Sequence, residues 1–236
     1  MDIGEIFSDA LVYPLNNIKA LLIYLLLGVV AGVAIAGTVA AVIVGVSYNN
    51  VLAVIGSGIL GIIVTLIIGF LISGYELDII KYGIERNAGA PGIDFVRQFI
   101  NGIKLFVVNI VYFIVPIIIG SILAIIFQHW LSGLITAILF IIFALAAIMG
   151  QCRLAKSEDL VEALAIGSAI GDISKVGILK LIVFIIVLFI IVLILAFIVS
   201  LINGWNTTVG GVLMGILGIY ITFFASRAFG LLYSDV

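Results

Sequence analysis

The chain has 236 residues, 65% of them hydrophobic and only 9% charged, with a mean hydropathy of +1.50 and a formal net charge of −2. Soluble domains carry roughly a quarter charged residues, so a water-soluble globular fold is excluded. Ten basic residues in small, acid-balanced clusters offer no basic stripe for nucleic acid, and the lone Cys152 rules out an internal disulfide or a cysteine metal cluster.

Charge is confined to four stretches. A run of 56 uncharged residues separates Lys19 from Glu76, 48 separate Lys104 from Arg153, and 46 separate Lys180 from Arg227, counting Asp, Glu, Lys and Arg as charged. A helix needs about 20 apolar residues to cross a bilayer, so each run holds two crossings and a turn. The expected fold is all-α: a single membrane domain over residues 1–236, with six transmembrane helices arranged as three hairpins. Short interfacial amphipathic helices are expected on the cytoplasmic side.

In chain order, residues 1–13 read as an amphipathic helix. Ile3, Ile6, Phe7, Ala10 and Leu11 fall on one face and Asp2, Glu5 and Asp9 on the other, with Pro14 expected to end it. Such a helix is expected to lie in the bilayer interface. The acidic start, with only Lys19 basic, differs from a secretory leader, so the first span is read as uncleaved. Spans one and two cover about residues 20–47 and 51–74. They carry small residues every fourth position, among them Gly28 and Gly32, then Gly61 and Gly69. Small side chains on one face let backbones approach closely, so these glycines, with Gly211 and Gly215 of span six, are the candidate packing residues.

Residues 75–104 form the first charged linker, with Asn87 to Gly92 a glycine- and proline-containing loop. Asp94 is placed to cap a further interfacial helix. Span three, about 105–127, contains Asn109 and Pro116, and a kink is expected at the proline. Gln128, His129 and Trp130 make a turn into span four, about 131–150. The second linker, 151–180, has a helix start at Ser157 to Asp159. Span five, about 181–202, is almost purely Leu, Ile, Val and Phe, and span six covers about 208–226.

All ten Lys and Arg residues precede span one, lie in the linkers, or follow span six. Positive residues stay on the cytoplasmic side, so both termini and both linkers are expected inside a cell membrane. Tyr48, Trp130 and Trp205 would anchor the outer turns. Lys19, Lys104 and Lys180 each stand at the mouth of a hairpin, a weak threefold repeat with unequal spacing. Asn206-Thr207-Thr208 is formally a glycosylation acceptor on the outer face.

Chemistry-bearing motifs are scarce. The only histidine, His129, falls in an outer turn, so no HExxH pair exists. Ile55-Gly56-Ser57-Gly58 lacks the first glycine of a GxSG nucleophile, no GxxxxGK[ST] loop is present, and Gly171-Asp172 lies in a linker. No catalytic residue, metal ligand or cofactor site is assigned. Two candidates remain: a polar membrane site formed by Asn109, Pro116 and Thr136, and a cluster of Glu76, Arg153 and Arg227 at equivalent hairpin exits. The cluster would pair internally or meet lipid headgroups.

Several short segments resemble a family of archaeal polytopic membrane proteins known as a domain of unknown function. They are Gly74-Tyr75 with Ile79-Ile80, Pro91, the stretch Phe99-Ile100-Asn101-Gly102-Ile103-Lys104, Tyr112 with Pro116, and the tail from Arg227 to Tyr233. Similar proteins carry an acidic residue where this chain has Asn101. The resemblance implies an archaeal cell membrane and assigns no functional residue.

These observations favour a non-catalytic membrane component: a scaffold, an assembly partner or a lipid-organising protein. Its partners would be the bilayer and either another membrane protein or a second copy. The alternative is a small-solute or lipid transporter or channel, which needs a polar cavity near mid-membrane beside Asn109. An enzyme acting on headgroups through linker carboxylates such as Glu76 and Asp78 comes third. Epitope tags placed in residues 75–104 and 151–180 are expected on the same, cytoplasmic face in a protease-protection assay; opposite faces would break the six-crossing map.

Overall fold

The computed structural model describes residues 1–127 and 130–236. Among these, every regular element is helical: α1 (Ile3–Asn16), α2 (Ile18–Ser47), α3 (Val51–Ile84), α4 (Phe95–Ile126), α5 (Trp130–Ser157), α6 (Leu160–Ala163), α7 (Ile166–Val176), α8 (Ile178–Trp205) and α9 (Thr207–Tyr233). Six of them, α2 to α5 with α8 and α9, are long and apolar enough to cross a membrane. They pair as three hairpins, α2 with α3, α4 with α5, and α8 with α9.

The long helices outrun the apolar runs. With a rise of 1.5 Å per residue, the 34 residues of α3 span roughly 50 Å, against a hydrocarbon core of about 30 Å. The helix expected to precede span three is therefore not separate. It forms the first turns of α4, which Asp94 caps by accepting the Val96 and Arg97 N–H groups at 3.1 Å, and α3 likewise continues unbroken through Glu76, Asp78 and Lys81. On α3 the apolar Leu77, Ile79 and Ile80 are buried, whereas in the first turns of α4 Phe95, Val96 and Ile100 stay exposed.

Pro14 does not end α1. Its fixed φ suits a helix, though it lacks the N–H for the Ala10 carbonyl and crowds that carbonyl; only the last residues of α1 follow it, and the helix continues to Asn16 before turning at Asn17. Nor is the apolar face of α1 left to the bilayer interface. Ile6, Phe7, Ala10 and Tyr13 are buried in the protein, mainly against α9, while Val12 and Leu15 stay exposed. α4 runs through the buried Pro116 as one helix. Gln128 and His129 of the expected turn lie outside the described residues.

The core lies at the charged end. Tyr13, Tyr24, Tyr75, Ile79 and Phe223 make one cluster; Leu77, Ile80, Leu105, Val108, Tyr112, Met149, Leu154, Leu181, Phe184, Phe224 and Leu231 belong to the other. The exit helices α3, α5 and α9 touch one another there, while beyond it the hairpins expose apolar side chains such as Val33, Leu52, Ile125 and Phe197.

Glycines set how closely the charged ends approach. A Cβ on Gly74 would overlap the Gln98 backbone, and one on Gly102 would overlap the Phe70 backbone. One on Gly83 would lie 2.8 Å from the Gly230 Cα. Gly177, between α7 and α8, has φ +96, a conformation open almost only to glycine. Of the candidate packing glycines, Gly28 meets Ile219 and Gly61 meets Thr38, but Gly32, Gly69, Gly211 and Gly215 have nothing within 4 Å of an added Cβ. Gly74, Gly83 and Gly102 thus meet backbone of another helix at the packed, charged end, whereas Gly45 and Gly61 are close only to the other helix of their own hairpin. Gly83→Leu is expected to lower the melting temperature in detergent sharply, through overpacking of about 1–3 kcal/mol or more, whereas Gly32→Leu should leave it nearly unchanged; equal effects would refute this division.

Candidate functional site

Ionised groups at the charged end join each hairpin to the next. On leaving the first hairpin, α3 carries Asp78, nearly buried. Arg97, in the first turn of α4, donates to it from Nη2 at 2.9 Å. The same Nη2 donates to the Gly92 carbonyl at 2.9 Å. Gln98, fully buried, donates to Asp78 at 3.4 Å and accepts from the Tyr24 hydroxyl; Asn101 donates to the other Asp78 oxygen at 3.4 Å. Tyr24 stacks on Tyr75 with ring centroids 4.1 Å apart, which fixes the hydroxyl that Gln98 needs.

The second joint has the opposite polarity. Arg153, leaving the second hairpin on α5, donates from Nη1 to Asp172 of α7 at 3.0 Å and from Nε to the Glu162 carbonyl at 3.0 Å. Asp172 also accepts from Lys175 at 2.7 Å and from the Tyr233 hydroxyl at 2.6 Å. Burial alone would raise this carboxyl, but the hydrogen bonds from Lys175, Tyr233 and Arg153 outweigh it and hold Asp172 below the usual carboxylate range. Tyr112 adds a 2.8 Å bond to the Ala163 carbonyl.

The third joint closes the ring. Arg227, at the end of α9, is 1% exposed and binds Asp9 of α1 through Nε at 2.7 Å and Nη2 at 3.3 Å. Its Nη1 donates to the Tyr82 carbonyl at 3.1 Å and the Asn87 carbonyl at 2.6 Å. The guanidinium lies 4.9 Å from the Tyr13 ring centre. Burial pushes the Tyr13 phenol above its ordinary range, against the pull of Arg227. Around these joints Lys81 pairs with Glu158, whose carboxyl that hydrogen bond lowers. Asp235 receives the Met1 ammonium at 2.8 Å and pairs with Arg86. The ammonium's hydrogen bond holds the Asp235 carboxyl down.

The expected exit cluster is therefore not formed. Arg153 and Arg227 have separate partners, and Glu76 is half-buried with no hydrogen bond or ion pair among the described residues. The residue equivalent to the two arginines is Asp78, two residues further along. The expected polar membrane site is not assembled either. Asn109 accepts from Gln151 at 2.9 Å close to the charged end, while Thr136 bonds the Ser132 carbonyl at 2.7 Å and packs on Gly120. Cys152 is fully buried. At the other end Asn206 accepts from the Val209 N–H at 3.0 Å. Among the described residues no group of three or more His, Cys, Asp and Glu side chains is placed to hold a metal.

The family model for proteins of unknown function (DUF4013) matches residues 57–204, well over half of the chain. The chain belongs to the DUF4013 family. In this DUF4013 member the matched region contains the Asp78–Arg97 and Arg153–Asp172 joints, while Arg227 and Asp9 lie outside it. No curated protein and no solved structure matches the chain.

Sequence reasoning missed Asp9, Gln98, Asp172 and Tyr233 as site residues, and it named Asp78 only as a linker carboxylate, not as the partner of Arg97. One signal for the joints was present: Asp78, Arg153 and Arg227 are spaced by 75 and 74 residues, far more evenly than the hairpin-mouth lysines. Asp172→Asn is expected to cost about 2–3 kcal/mol at pH 7, because it weakens charged hydrogen bonds to a buried acceptor. Because the folded carboxyl lies below its unfolded value, this contribution is fully present above about pH 4 and is lost as pH falls through the lowered value. Thermal melts in detergent should show an acid loss of stability that the variant reduces.

Proposed function

We propose that this protein is a non-catalytic component of the cell membrane that assembles with another membrane protein or a second copy of itself. Both termini and both linkers would face the cytoplasm, in keeping with the confinement of every Lys and Arg to that end of the chain.

One observation carries the reading. Part of the small-residue faces is unoccupied within the single chain: Gly32, Gly69, Gly211 and Gly215 look into open space, whereas Gly61 is covered by Thr38 and Gly28 touches Ile219. Between α2 and α9 a groove of about 290 Å³ is lined by Gly28, Gly211, Gly215 and Gly218 together with larger apolar side chains. In lipid, helices associate through close van der Waals approach at small residues, and these faces allow such an approach from outside. The joints at the charged end would hold the three hairpins at fixed roots while their outer halves engage a partner. A transport reading has less support, since Asn109, the polar group it relied on, is bonded to Gln151 near the charged end.

Light scattering in mild detergent should give the wild-type protein a mass above the single chain's 25.1 kDa, or a co-purifying membrane partner. Gly211→Leu with Gly215→Leu should abolish that association while leaving the melting temperature nearly unchanged, since an added Cβ meets nothing within the chain. A wild-type protein that is solitary under these conditions would overturn the reading.

A further inference from the structure

A basic cavity at the second joint has no part in the assembly reading. It measures about 220 Å³ and is lined by Arg153, Lys156, Ser157, Glu162, Lys175, Tyr233 and Val236. Three of these residues are cations. Arg153 and Lys175 are both answered by the buried Asp172. Lys156 has no carboxylate partner among the described residues; its ammonium lies 5.7 Å from the centre of the Tyr233 ring. Against three positive charges stand Asp172, Glu162 and the Val236 carboxylate, but Asp172 is taken up by Arg153 and Lys175, which leaves Lys156 as the cation without an ion-pair partner among the described residues. The Asp172 bonds fix Arg153 and Lys175 along one wall, and the Tyr233 ring, buried and tied to the same carboxylate, fixes the surface over which Lys156 lies.

The surroundings indicate where the anion comes from. Arg153 follows directly on the apolar run that ends at Cys152, so the cavity mouth lies at the level where α5 leaves the hydrocarbon. Beside it, on α6, α7 and the start of α8, the apolar side chains of Val161, Ile170, Ile178 and Leu179 are exposed among the charges. Such residues are stable in the interfacial layer of a bilayer, where an apolar body is buried and neighbouring charges are wetted. A small cavity with convergent cations at that depth suits a phosphate-bearing anion, and basic pockets beside transmembrane helices at this level take lipid headgroups. We infer that Arg153, Lys156 and Lys175 form a binding site for the phosphate of an anionic phospholipid headgroup. The site stands or falls independently of self-assembly, because the glycine-lined faces lie on α2, α3 and the beginning of α9, whereas α9 reaches the cavity only through Tyr233 at its other end.

Lys156 is the residue to change, since it is exposed and its loss removes no ion pair. The full-length protein in an uncharged detergent is incubated with phosphatidylglycerol or phosphatidylcholine, and native mass spectrometry counts the lipid retained. Phosphatidylglycerol should be retained in preference to phosphatidylcholine. Lys156→Gln should cut that retention about fivefold, the scale of one cation near a charged surface, and Lys156→Arg should restore it. Lys19→Gln, which removes a cation from another hairpin mouth, should have no effect. Inorganic phosphate is titrated in parallel: displacement of the lipid supports recognition through phosphate. Phosphate binding that depends on Lys156 without a lipid preference would assign the same cavity to a soluble phosphate compound. Equal retention by wild type and Lys156→Gln, with both eluting as folded protein, overturns the proposal. So does retention that falls as much in Lys19→Gln, because attraction would then be general rather than sited.

Discussion

An ionised side chain taken out of water must meet an opposite charge or enough hydrogen bonds to replace its hydration, or it will not stay there. That constraint shapes this molecule at both scales. Along the chain it keeps Asp, Glu, Lys and Arg out of three long apolar runs. In three dimensions Asp78, Arg153 and Arg227 meet it by finding partners across the gaps between hairpins, and these three ion pairs are the joints; Glu76, half-buried and without an ion pair among the described residues, is the exception. Arg227 is the clearest case: it is almost wholly buried, yet two carboxylate oxygens and two backbone carbonyls satisfy its guanidinium.

The joints follow a cyclic rule. The exit of hairpin one pairs with the entry of hairpin two, the exit of two with the segment before three, and the exit of three with the helix before one. Aromatic side chains on the entry helices repeat the pattern. Tyr24 of α2 reaches Gln98 at the start of α4, Tyr112 of α4 reaches Ala163 of α6, and Phe184 of α8 stacks on Phe7 of α1 with centroids 4.9 Å apart. Charge polarity is reversed at the first joint, with the carboxylate on the exit and the guanidinium on the entry. An ion pair joins two helix ends equally well when its ends are exchanged, so the same cyclic geometry is met with either polarity.

This arrangement gives a molecule with two mechanical regimes. The charged end is packed with aromatic and aliphatic side chains and stitched by glycine-permitted backbone contacts, Gly74 on Gln98 and Gly83 on Gly230. The other end is three hairpins with apolar faces turned outward and little between them. Hydrocarbon solvates such faces as well as another helix does, so the hydrophobic effect does not drive them together. The charged end, where water competes for every exposed group, is where burial stabilises the fold.

The sequence by itself determined the number of crossings, their hairpin pairing and the common face of the linkers, because the cost of placing charge in hydrocarbon is large and local and so can be read residue by residue. It also indicated Asp94 as a helix cap, since capping is a contact between near neighbours. It did not indicate that α3 and α4 run on as helices through the first linker, that Arg227 chooses Asp9 rather than Glu76, or that Asn109 is taken by Gln151. Nor did it tell the glycines that pack from those that face open space: Gly61 and Gly69 share one small-residue stripe, yet Thr38 covers Gly61 and nothing covers Gly69, while Gly74, outside the candidate set, has the Gln98 backbone against it. Those outcomes depend on which helix ends meet, and contacts between residues 24 to 218 positions apart are decided by the joint packing of all three hairpins, which only the tertiary structure contains.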